Sequence, residues 1–287
     1  MKIIRTIRAL RKALAAIDGS IGFVPTMGYF HEGHLSLMRT AKRNNACAVV
    51  SLFVNPTQFG PTEDLSRYPR DLARDAGLAR TAGVDIMFVP TVEEMYPAGA
   101  SQTVVEVGGI AGILCGAVRP GHFCGVATVV SKLINIVLPD VMYLGQKDFQ
   151  QTVVIKRMVS DLNFPLRVVV CPTVREPDGL AMSSRNSYLS PTERMQATAI
   201  YRALQMARSM AAAGESDAGK IIFKIKKLIL DETSATIEYV NCVSVADLQD
   251  VRRITGKVLI VLAVKFPSAR LIDNAVIELN VDEKVRR

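Results

Sequence analysis

This 287-residue chain has the composition of an ordinary folded globular protein. Hydrophobic residues make up 49% and charged residues 22%, which leaves too much apolar content for an intrinsically disordered chain. The net charge of +8 is spread along a sequence with seven tyrosines and no tryptophan, which disfavours a nucleic-acid platform of basic stripes and interleaved aromatics. No apolar run approaches the length of a membrane span. We therefore expect a cytoplasmic protein with no nucleic-acid and no membrane partner.

The opening 17 residues are basic and apolar, but charged residues interrupt the uniform apolar run that a signal peptide needs. Apolar residues instead recur there at helical spacing, namely Ile3, Ile7, Leu10, Leu14 and Ile17. This pattern predicts a surface helix packed on a core.

Apolar runs alternate with amphipathic helical stretches from residue 21 to about residue 172. The predicted elements are strand 21–25, helix 34–43, strand 46–54, helix 65–82, strand 84–89, helix 125–137, strand 141–144, helix 149–162 and strand 166–171. Such alternation is typical of right-handed βαβ units. It predicts an α/β fold with a doubly wound parallel sheet.

The pattern changes after residue 173, which predicts a large domain over 1–173 and a smaller α+β domain over 174–287. The predicted elements of the second domain are helices 191–213 and 217–231 and strands 236–245, 257–266 and 271–279. Ser190, Pro191 and Glu193 supply an N-cap, a proline at the first helical position and an acid near it.

The five cysteines are an odd number, with no close pair spaced like a redox or zinc motif. They are Cys47, Cys115, Cys124, Cys171 and Cys242. We expect reduced thiols that are mostly buried and behave as small hydrophobes.

The tetrapeptide His31-Glu32-Gly33-His34 lies where a predicted strand leads into its helix, at the edge of the sheet where doubly wound folds bind ligands. A helix N-terminus offers backbone N–H groups and the positive end of the helix dipole, so it suits a phosphate. Two imidazoles about one turn apart can donate to the same phosphate oxygens. The alternative is that both histidines only cap the helix. A zinc site is disfavoured because His122 is the one further histidine.

A second polar group, Gly145-Gln146-Lys147-Asp148 followed by Gln150 and Gln151, comes directly after another predicted strand and opens a helix. Lys147 would be a point charge beside a helix terminus that favours phosphate. Asp148 could equally be an ordinary acid in the first turn of a helix.

A third group, Met182-Ser183-Ser184-Arg185-Asn186, follows a Pro-Asp-Gly turn. It is expected to be an exposed loop that bears hydroxyl donors and a guanidinium. At the junction of two domains this loop could close over a triphosphate, and the alternative is a solvated linker.

The three groups together indicate cationic or donor side chains around a nucleotide. The Gly-x-Ser-x-Gly sequence of serine hydrolases and the phosphate loop of P-loop kinases are both absent. Nucleotidyl transfer therefore remains, in which the protein orients an attacking anion and stabilises the leaving pyrophosphate.

Several segments make the sequence resemble the pantothenate synthetase family, in order and spacing over nearly the whole chain. They are residues 25–28, 31–37, 53–61, 119–126, 145–151 and 174–187. The resemblance implies ATP-dependent condensation of (R)-pantoate with β-alanine to give (R)-pantothenate, AMP and pyrophosphate through a pantoyl adenylate. It also implies a Rossmann-like domain for ATP and pantoate, a smaller domain closing over the active site, Mg²⁺ and a homodimer, with the metal ligands unassigned.

The resemblance also implies roles for individual residues. His34 would act as a proton donor with His31 beside it, and Lys147 and Arg185 complete the catalytic set. The implied ATP contacts are Met27, Gly28, Tyr29, Phe30, His31, Glu32, Gly33, His34, Gly145, Gln146, Lys147, Asp148, Val174, Met182, Ser183, Ser184 and Arg185. Gln58 would hold pantoate and β-alanine, and Gln151 is the second pantoate glutamine. Arg119 and His122 receive no catalytic role.

Two rival functions stay open from the sequence alone. An adenylyl- or cytidylyltransferase would make a nucleotide product, and the two glutamines argue against it because neutral amides suit a small hydroxy acid. A basic nucleic-acid-binding module is the rival from another class.

Overall fold

The computed structural model describes residues 1–99 and 103–279, and these form two compact units. The first unit comprises Met1–Gln146 and Gln150–Val174, and the second comprises Lys147–Phe149 and the described chain from Arg175 onward. A six-stranded parallel sheet and a three-stranded antiparallel sheet confirm the predicted α/β fold class with its smaller α+β part.

The parallel sheet consists of β1 (Lys2–Ile4), β2 (Ile21–Thr26), β3 (Cys47–Leu52), β4 (Ile86–Phe88), β5 (Val141–Gly145) and β6 (Arg167–Cys171). The helices between its strands are α1 (Ile7–Leu14), α2 (Glu32–Asn44), α3 (Leu72–Thr81), α4 (Val92–Met95), α5 (Cys115–Val118), α6 (His122–Val137) and α7 (Phe149–Asp161). The strand order is β1-β4-β3-β2-β5-β6.

The strand order reverses between β2 and β5, which are neighbours in the sheet. From β2 the chain moves through β3 to β4 on one side, and it then returns to add β5 and β6 on the other. Ligands of doubly wound proteins bind at such a switch point, beyond the carboxyl ends of the strands. β2 and β5 are the strands that lead into the His31-Glu32-Gly33-His34 and Gly145–Gln151 segments.

Burial on both faces explains why the strands read as continuous apolar runs. β3 is buried from Cys47 to Ser51, and α6 is buried along nearly its whole length. Four of the five cysteines are buried, as predicted, and Cys124 is half-buried.

The prediction of a helix over the first 17 residues is wrong at its start. Lys2–Ile4 forms β1, which pairs in parallel with β4, and the Ile3 side chain is 42% exposed. The helix begins only at Ile7, because the Thr6 hydroxyl accepts the Ala9 N–H and caps it. Its core contacts come from Leu10 and Leu14, which are both buried.

The helix predicted over 65–82 begins late, at Leu72. Pro69 disfavours helical backbone in the residue before it. The Asp71 carboxylate then accepts the Arg74 N–H at 3.0 Å and starts α3.

The second unit contains helices α8 (Pro191–Gln196), α9 (Thr198–Ala212) and α10 (Ala218–Glu232). Its antiparallel sheet has strands β7 (Thr236–Ser244), β8 (Lys257–Lys265) and β9 (Arg270–Glu278), in that order. The single helix predicted over 191–213 is therefore wrong. The helix breaks at Ala197, whose N–H is shared between the carbonyl oxygens of Glu193 and Met195.

Among the described residues, no helix is long and apolar enough to cross a membrane.

The predicted start of α8 is confirmed as a reciprocal cap, in which Glu193 plays a further part. Its carboxylate accepts the Ser190 N–H at 2.8 Å, and it also accepts the Ser268 hydroxyl at 2.7 Å and the Ser268 N–H at 3.1 Å. The Ser190 N–H and the Ser268 hydroxyl lower the pKa of Glu193 to about 2.

This lowered pKa predicts an acid-dependent loss of stability. A depressed carboxyl pKa contributes stability above the unfolded-state value of about 4.3 that is lost as the pH falls towards about 2. We expect Glu193→Gln to melt several degrees below the wild type at pH 7, with a gap that narrows below about pH 5. Thermal unfolding of both proteins across this range tests it, and a gap that does not change with pH would contradict it.

Candidate active site

His31 and His34 cap the start of α2 with their own rings. His31 is the N-cap residue, and its Nδ1 accepts the Gly33 N–H at 3.1 Å. His34 stands three residues on, and its Nδ1 accepts the His31 N–H at 3.4 Å. The capping interpretation of this tetrapeptide is thus correct as local structure, and it leaves room for a second role.

The cap determines which ring nitrogen carries the proton. Because Nδ1 accepts a backbone N–H in both His31 and His34, each neutral ring holds its proton on Nε2. The two ring centroids are 4.1 Å apart. The helix start therefore carries two adjacent imidazoles of the Nε2–H form, which can act as hydrogen-bond donors.

The loop before the helix has an unusual backbone. Gly28 and Tyr29 have φ values of 89° and 52°, both in the left-handed region. The N–H groups of Tyr29 and Phe30 bond to the Asp75 carboxylate, and the Phe30 side chain is fully buried. These two expected ATP contacts could therefore not use their N–H groups. Glu32 is exposed and forms an ion pair with Arg39.

Gln58 ends a short 3₁₀ turn, Pro56–Gln58, that follows β3 at the same edge of the sheet. Its amide nitrogen lies 3.2 Å from the Met27 sulfur, so the structure brings these two predicted site residues together. Its amide oxygen accepts from the Asn55 side chain at 3.1 Å. Asn55 is buried and also accepts the Tyr96 hydroxyl at 2.8 Å. The Gln58 amide is thus held at both ends.

Arg119 and His122 brace the backbone of this turn. His122 Nδ1 donates to the Gln58 carbonyl oxygen at 2.8 Å, and Arg119 donates to the same oxygen at 3.4 Å. Arg119 also forms a two-point ion pair with Glu63, at 2.7 and 2.5 Å. Burial works to raise the pKa of the Glu63 carboxyl, but the Arg119 hydrogen bonds outweigh it and hold that pKa below its ordinary value. This basic pair therefore has a structural role.

Gln150 and Gln151 open α7 and have different surroundings. Gln150 is buried, with its oxygen accepting the Cys115 N–H at 3.0 Å and its nitrogen donating to the carbonyl oxygens of Ile110 and Ile113. Gln151 is half-buried, and no hydrogen bond to its amide is found among the described residues. Gln151 is therefore the one of the two with an amide available to a ligand.

Lys147 belongs to the second unit and is held by β9. The buried Asn274 side chain donates to the Lys147 carbonyl oxygen at 2.9 Å. The Lys147 ammonium lies 3.6 Å from the Asp148 carboxylate, and its side chain is 19% exposed. β9 is anchored next to it by a two-point ion pair between Asp273 and Arg175, at 2.6 and 3.0 Å.

The expectation of an exposed loop at Met182–Asn186 is wrong. Residues Ser184–Tyr188 form a 3₁₀ helix that packs on β9, with Ser184 buried and Arg185 half-buried. The Ser183 hydroxyl accepts the Arg185 N–H at 3.3 Å and caps this helix. Arg185 is thus carried on an ordered element that lies, like Lys147, against β9.

No three His, Cys, Asp or Glu side chains are arranged to hold a metal ion within the described parts of the chain. Mg²⁺ commonly keeps several waters and binds through one or two carboxylates together with substrate phosphates. A Mg²⁺ that arrives with a nucleotide would therefore not require such a group of protein side chains.

Sequence reasoning missed Asn55 and Asp75. Asp75 shares the helical spacing of Leu72, Ala76 and Ala79, so an acid on the apolar face of a predicted helix was a visible signal. Asn55 lies directly after an apolar strand, but nothing in the sequence indicates its partners.

The sheet order and the placement of these polar residues define a doubly wound α/β protein with its candidate active site at the switch point of the first unit. The family model described as "Pantoate-beta-alanine ligase" matches residues 2–276. The chain belongs to the pantoate–β-alanine ligase family.

Similar sequences and similar solved structures support this family membership. The chain is 54% identical to the pantothenate synthetase of Moorella thermoacetica over 98% of this chain and 100% of the relative. A crystal structure of pantothenate synthetase from Thermus thermophilus is similar with a TM-score of 0.92 and 48% identity, covering 96% of this chain and 99% of that one. Pantoate–β-alanine ligase from Francisella tularensis, solved in complex with "Beta-gamma ATP and Beta-alanine", has a TM-score of 0.81 and 36% identity, covering 96% and 97% of the two chains.

Proposed function

We propose that this chain joins pantoate to β-alanine through an enzyme-bound pantoyl adenylate. The overall reaction is that of its family: an ATP-dependent ligation of (R)-pantoate and β-alanine that yields (R)-pantothenate, AMP and pyrophosphate. In the first step a pantoate carboxylate oxygen attacks the α-phosphorus of ATP and pyrophosphate leaves. In the second step the β-alanine amine attacks the acyl carbon, and AMP leaves with the carboxylate oxygen that attacked.

One observation carries this proposal: the two candidate nucleotide segments follow β2 and β5, the two strands that flank the switch point. A helix N-terminus with two imidazole donors at that position suits a triphosphate. The ATP and β-alanine bound to the Francisella tularensis relative support the same substrates here.

We assign the charged groups to the leaving pyrophosphate. His34, with His31 beside it, would donate through Nε2–H to oxygen atoms on which negative charge develops. Lys147 and Arg185 would neutralise the same developing charge, Lys147 as a point charge and Arg185 through its fork of N–H donors. This scheme uses no activated nucleophile of the protein, so catalysis rests on orientation and electrostatics.

The two glutamines would hold pantoate. A neutral amide can both donate to a carboxylate and accept from a hydroxyl, so it orients the substrate without neutralising the charge needed for attack. The Gln58 amide is already fixed by Asn55 and Met27, which favours a preorganised site. Gln151 supplies the second amide.

We also propose that Mg²⁺ enters with ATP and that the protein acts as a homodimer, because the family resemblance implies both. The cytoplasm remains the proposed location, as the sequence led us to expect. Bound Mg²⁺ would supply neutralisation of phosphate charge. No protein ligand for it is assigned.

Heavy-oxygen labelling tests the adenylate. If pantoate carries labelled oxygen in its carboxylate, one labelled atom should appear in AMP for each pantothenate formed, since the attacking oxygen stays on phosphorus. Mass spectrometry of the AMP measures this.

A single-turnover reaction without β-alanine is the companion measurement. The enzyme should release pyrophosphate in an amount that matches its active sites and retain the adenylate. Label in inorganic phosphate, or ADP as the nucleotide product, would instead indicate an acyl phosphate and contradict the proposal.

A further inference from the structure

The loop between β2 and α2 has a conformation that its own residues do not favour. Tyr29 lies in the left-handed region at φ 52°, directly after Gly28 at φ 89°. A non-glycine residue held in that region is strained, and the conformation persists where the surroundings over-determine it. Contacts from outside the loop must therefore hold it in place.

Asp75 of α3 supplies the main contact. Its Oδ2 accepts the Tyr29 N–H at 2.6 Å, and its Oδ1 accepts the Phe30 N–H at 2.7 Å. The residue is only 1% exposed. The two carboxylate oxygens thus each accept one hydrogen bond, from two successive N–H groups of the loop.

Arg74, the neighbour of Asp75 in α3, holds the loop from its other side. Its guanidinium donates to the Phe30 carbonyl oxygen at 2.9 Å and lies 4.9 Å from the centre of the Tyr29 ring. It also lies 3.4 Å from the Asp75 carboxylate, which provides that buried acid with a counter-charge. The two residues together contact both polar groups of the Phe30 backbone.

The loop also passes close to Asp75 at Gly28. A Cβ atom built on Gly28 would lie 3.1 Å from the Asp75 carboxylate and 3.0 Å from the Leu52 side chain. The residue that follows Phe30 is His31, the N-cap of α2. The position of the histidine pair therefore depends on the segment that Asp75 holds.

Burying a carboxylate is costly, and the desolvation penalty commonly equals or exceeds what its partners return. Burial raises the pKa of Asp75, while the Phe30 and Tyr29 N–H groups and Arg74 lower it. The two hydrogen bonds of Asp75 therefore act on which conformation the loop adopts.

We propose that Asp75 is a positioning residue for catalysis, which fixes the Gly28–Phe30 loop so that His31 and His34 meet the nucleotide in a productive orientation. Arg74 assists it. This inference rests on the proposed role of the two histidines.

The test compares Asp75→Asn with Asp85→Asn. Asp85 is a matched control because its carboxylate likewise accepts a backbone N–H, that of Ala48 at 2.8 Å, and pairs with a cation, Lys42. Asp85 lies at the amino ends of β3 and β4. This edge of the sheet is opposite to the one that carries the candidate active site. The asparagine at position 75 would keep the size of the side chain but turn an NH₂ group towards a loop N–H.

We expect Asp75→Asn to lower kcat/KM for ATP by about 30- to 100-fold, the size of effect that a displaced reacting group produces. The KM for β-alanine should change less than about threefold, because the second step does not require repositioning of the triphosphate. Hydrogen exchange of the segment 27–33 should accelerate. Asp85→Asn should leave all three quantities near the wild-type values.

Arg74→Met provides a second variant if Asp75→Asn does not fold, because the Arg74 side chain is 44% exposed and its loss should be tolerated. It should lower kcat/KM for ATP by about three- to tenfold. A folded Asp75→Asn with kcat/KM for ATP within threefold of the wild type would overturn the inference. A KM for β-alanine that rises by the same factor as kcat/KM for ATP falls would overturn it as well. Failure of the adenylate mechanism would appear in the wild-type enzyme itself, as absence of pyrophosphate release without β-alanine.

Discussion

Replacing His34 with alanine should lower kcat about a hundredfold or more while changing the KM for ATP only modestly. The imidazole is fixed at the start of α2 in its Nε2–H form, and a preorganised donor acts mainly on charge that develops in the transition state. Loss of one such donor typically costs a factor of about 10²–10³ in kcat. Steady-state kinetics with ATP as the varied substrate measure the effect.

His34→Gln is the matched control, because His34 also caps the helix. Glutamine at the third helical position can reach back to the N-cap N–H and complete a capping box. It should restore the thermal stability lost in His34→Ala but leave kcat at least about tenfold below the wild type. Wild-type turnover in His34→Gln would mean that the ring serves only as a cap.

Gly125→Ala should displace the turn that carries Gln58. A Cβ atom at this position in α6 would lie 2.3 Å from the Thr57 carbonyl oxygen and 2.8 Å from the Gln58 Cα, distances that backbone atoms do not tolerate. We expect a loss of about 1–3 kcal/mol in the free energy of unfolding, together with a KM for pantoate raised at least tenfold. Urea unfolding and pantoate kinetics provide the two measurements.

Gly77→Ala is the control for this substitution, since Gly77 is also a helical glycine and a Cβ there would meet nothing within 4 Å. It should stabilise the protein by up to about 1 kcal/mol and leave the pantoate KM unchanged. If Gly125→Ala kept a normal pantoate KM, the close packing of α6 on the turn would have no bearing on the substrate.

Periodicity predicted most of the elements because burial dictates it. The six-residue apolar run of β3 and the helical stripe of α2 appear in the structure within a few residues of their predicted bounds. The same reasoning failed at β1, because three residues of an edge strand look like part of the helical stripe that follows them. Local alternation cannot indicate that Lys2–Ile4 pairs with Ile86–Phe88.

The candidate site was predictable where it depends on local chemistry. His31 and His34 were expected at a helix start, and they are found there. The hydrogen bonds of Asp75 to the loop residues cross 45 and 46 positions of sequence, and no local pattern encodes such partners. The ordered 3₁₀ helix at Ser184–Tyr188 was missed because its burial comes from packing on a distant strand.

The pairing of β1 with β4 has a consequence for folding. Lys2 lies opposite Ile86, so the edge of the sheet is completed only after a long loop has closed, and loop-closure entropy delays such contacts. In the folded sheet β4 pairs with β3 on one side and with β1 on the other. Until the first residues of the chain return to cover it, the Ile86–Phe88 edge is a template on which another nascent chain can add a strand.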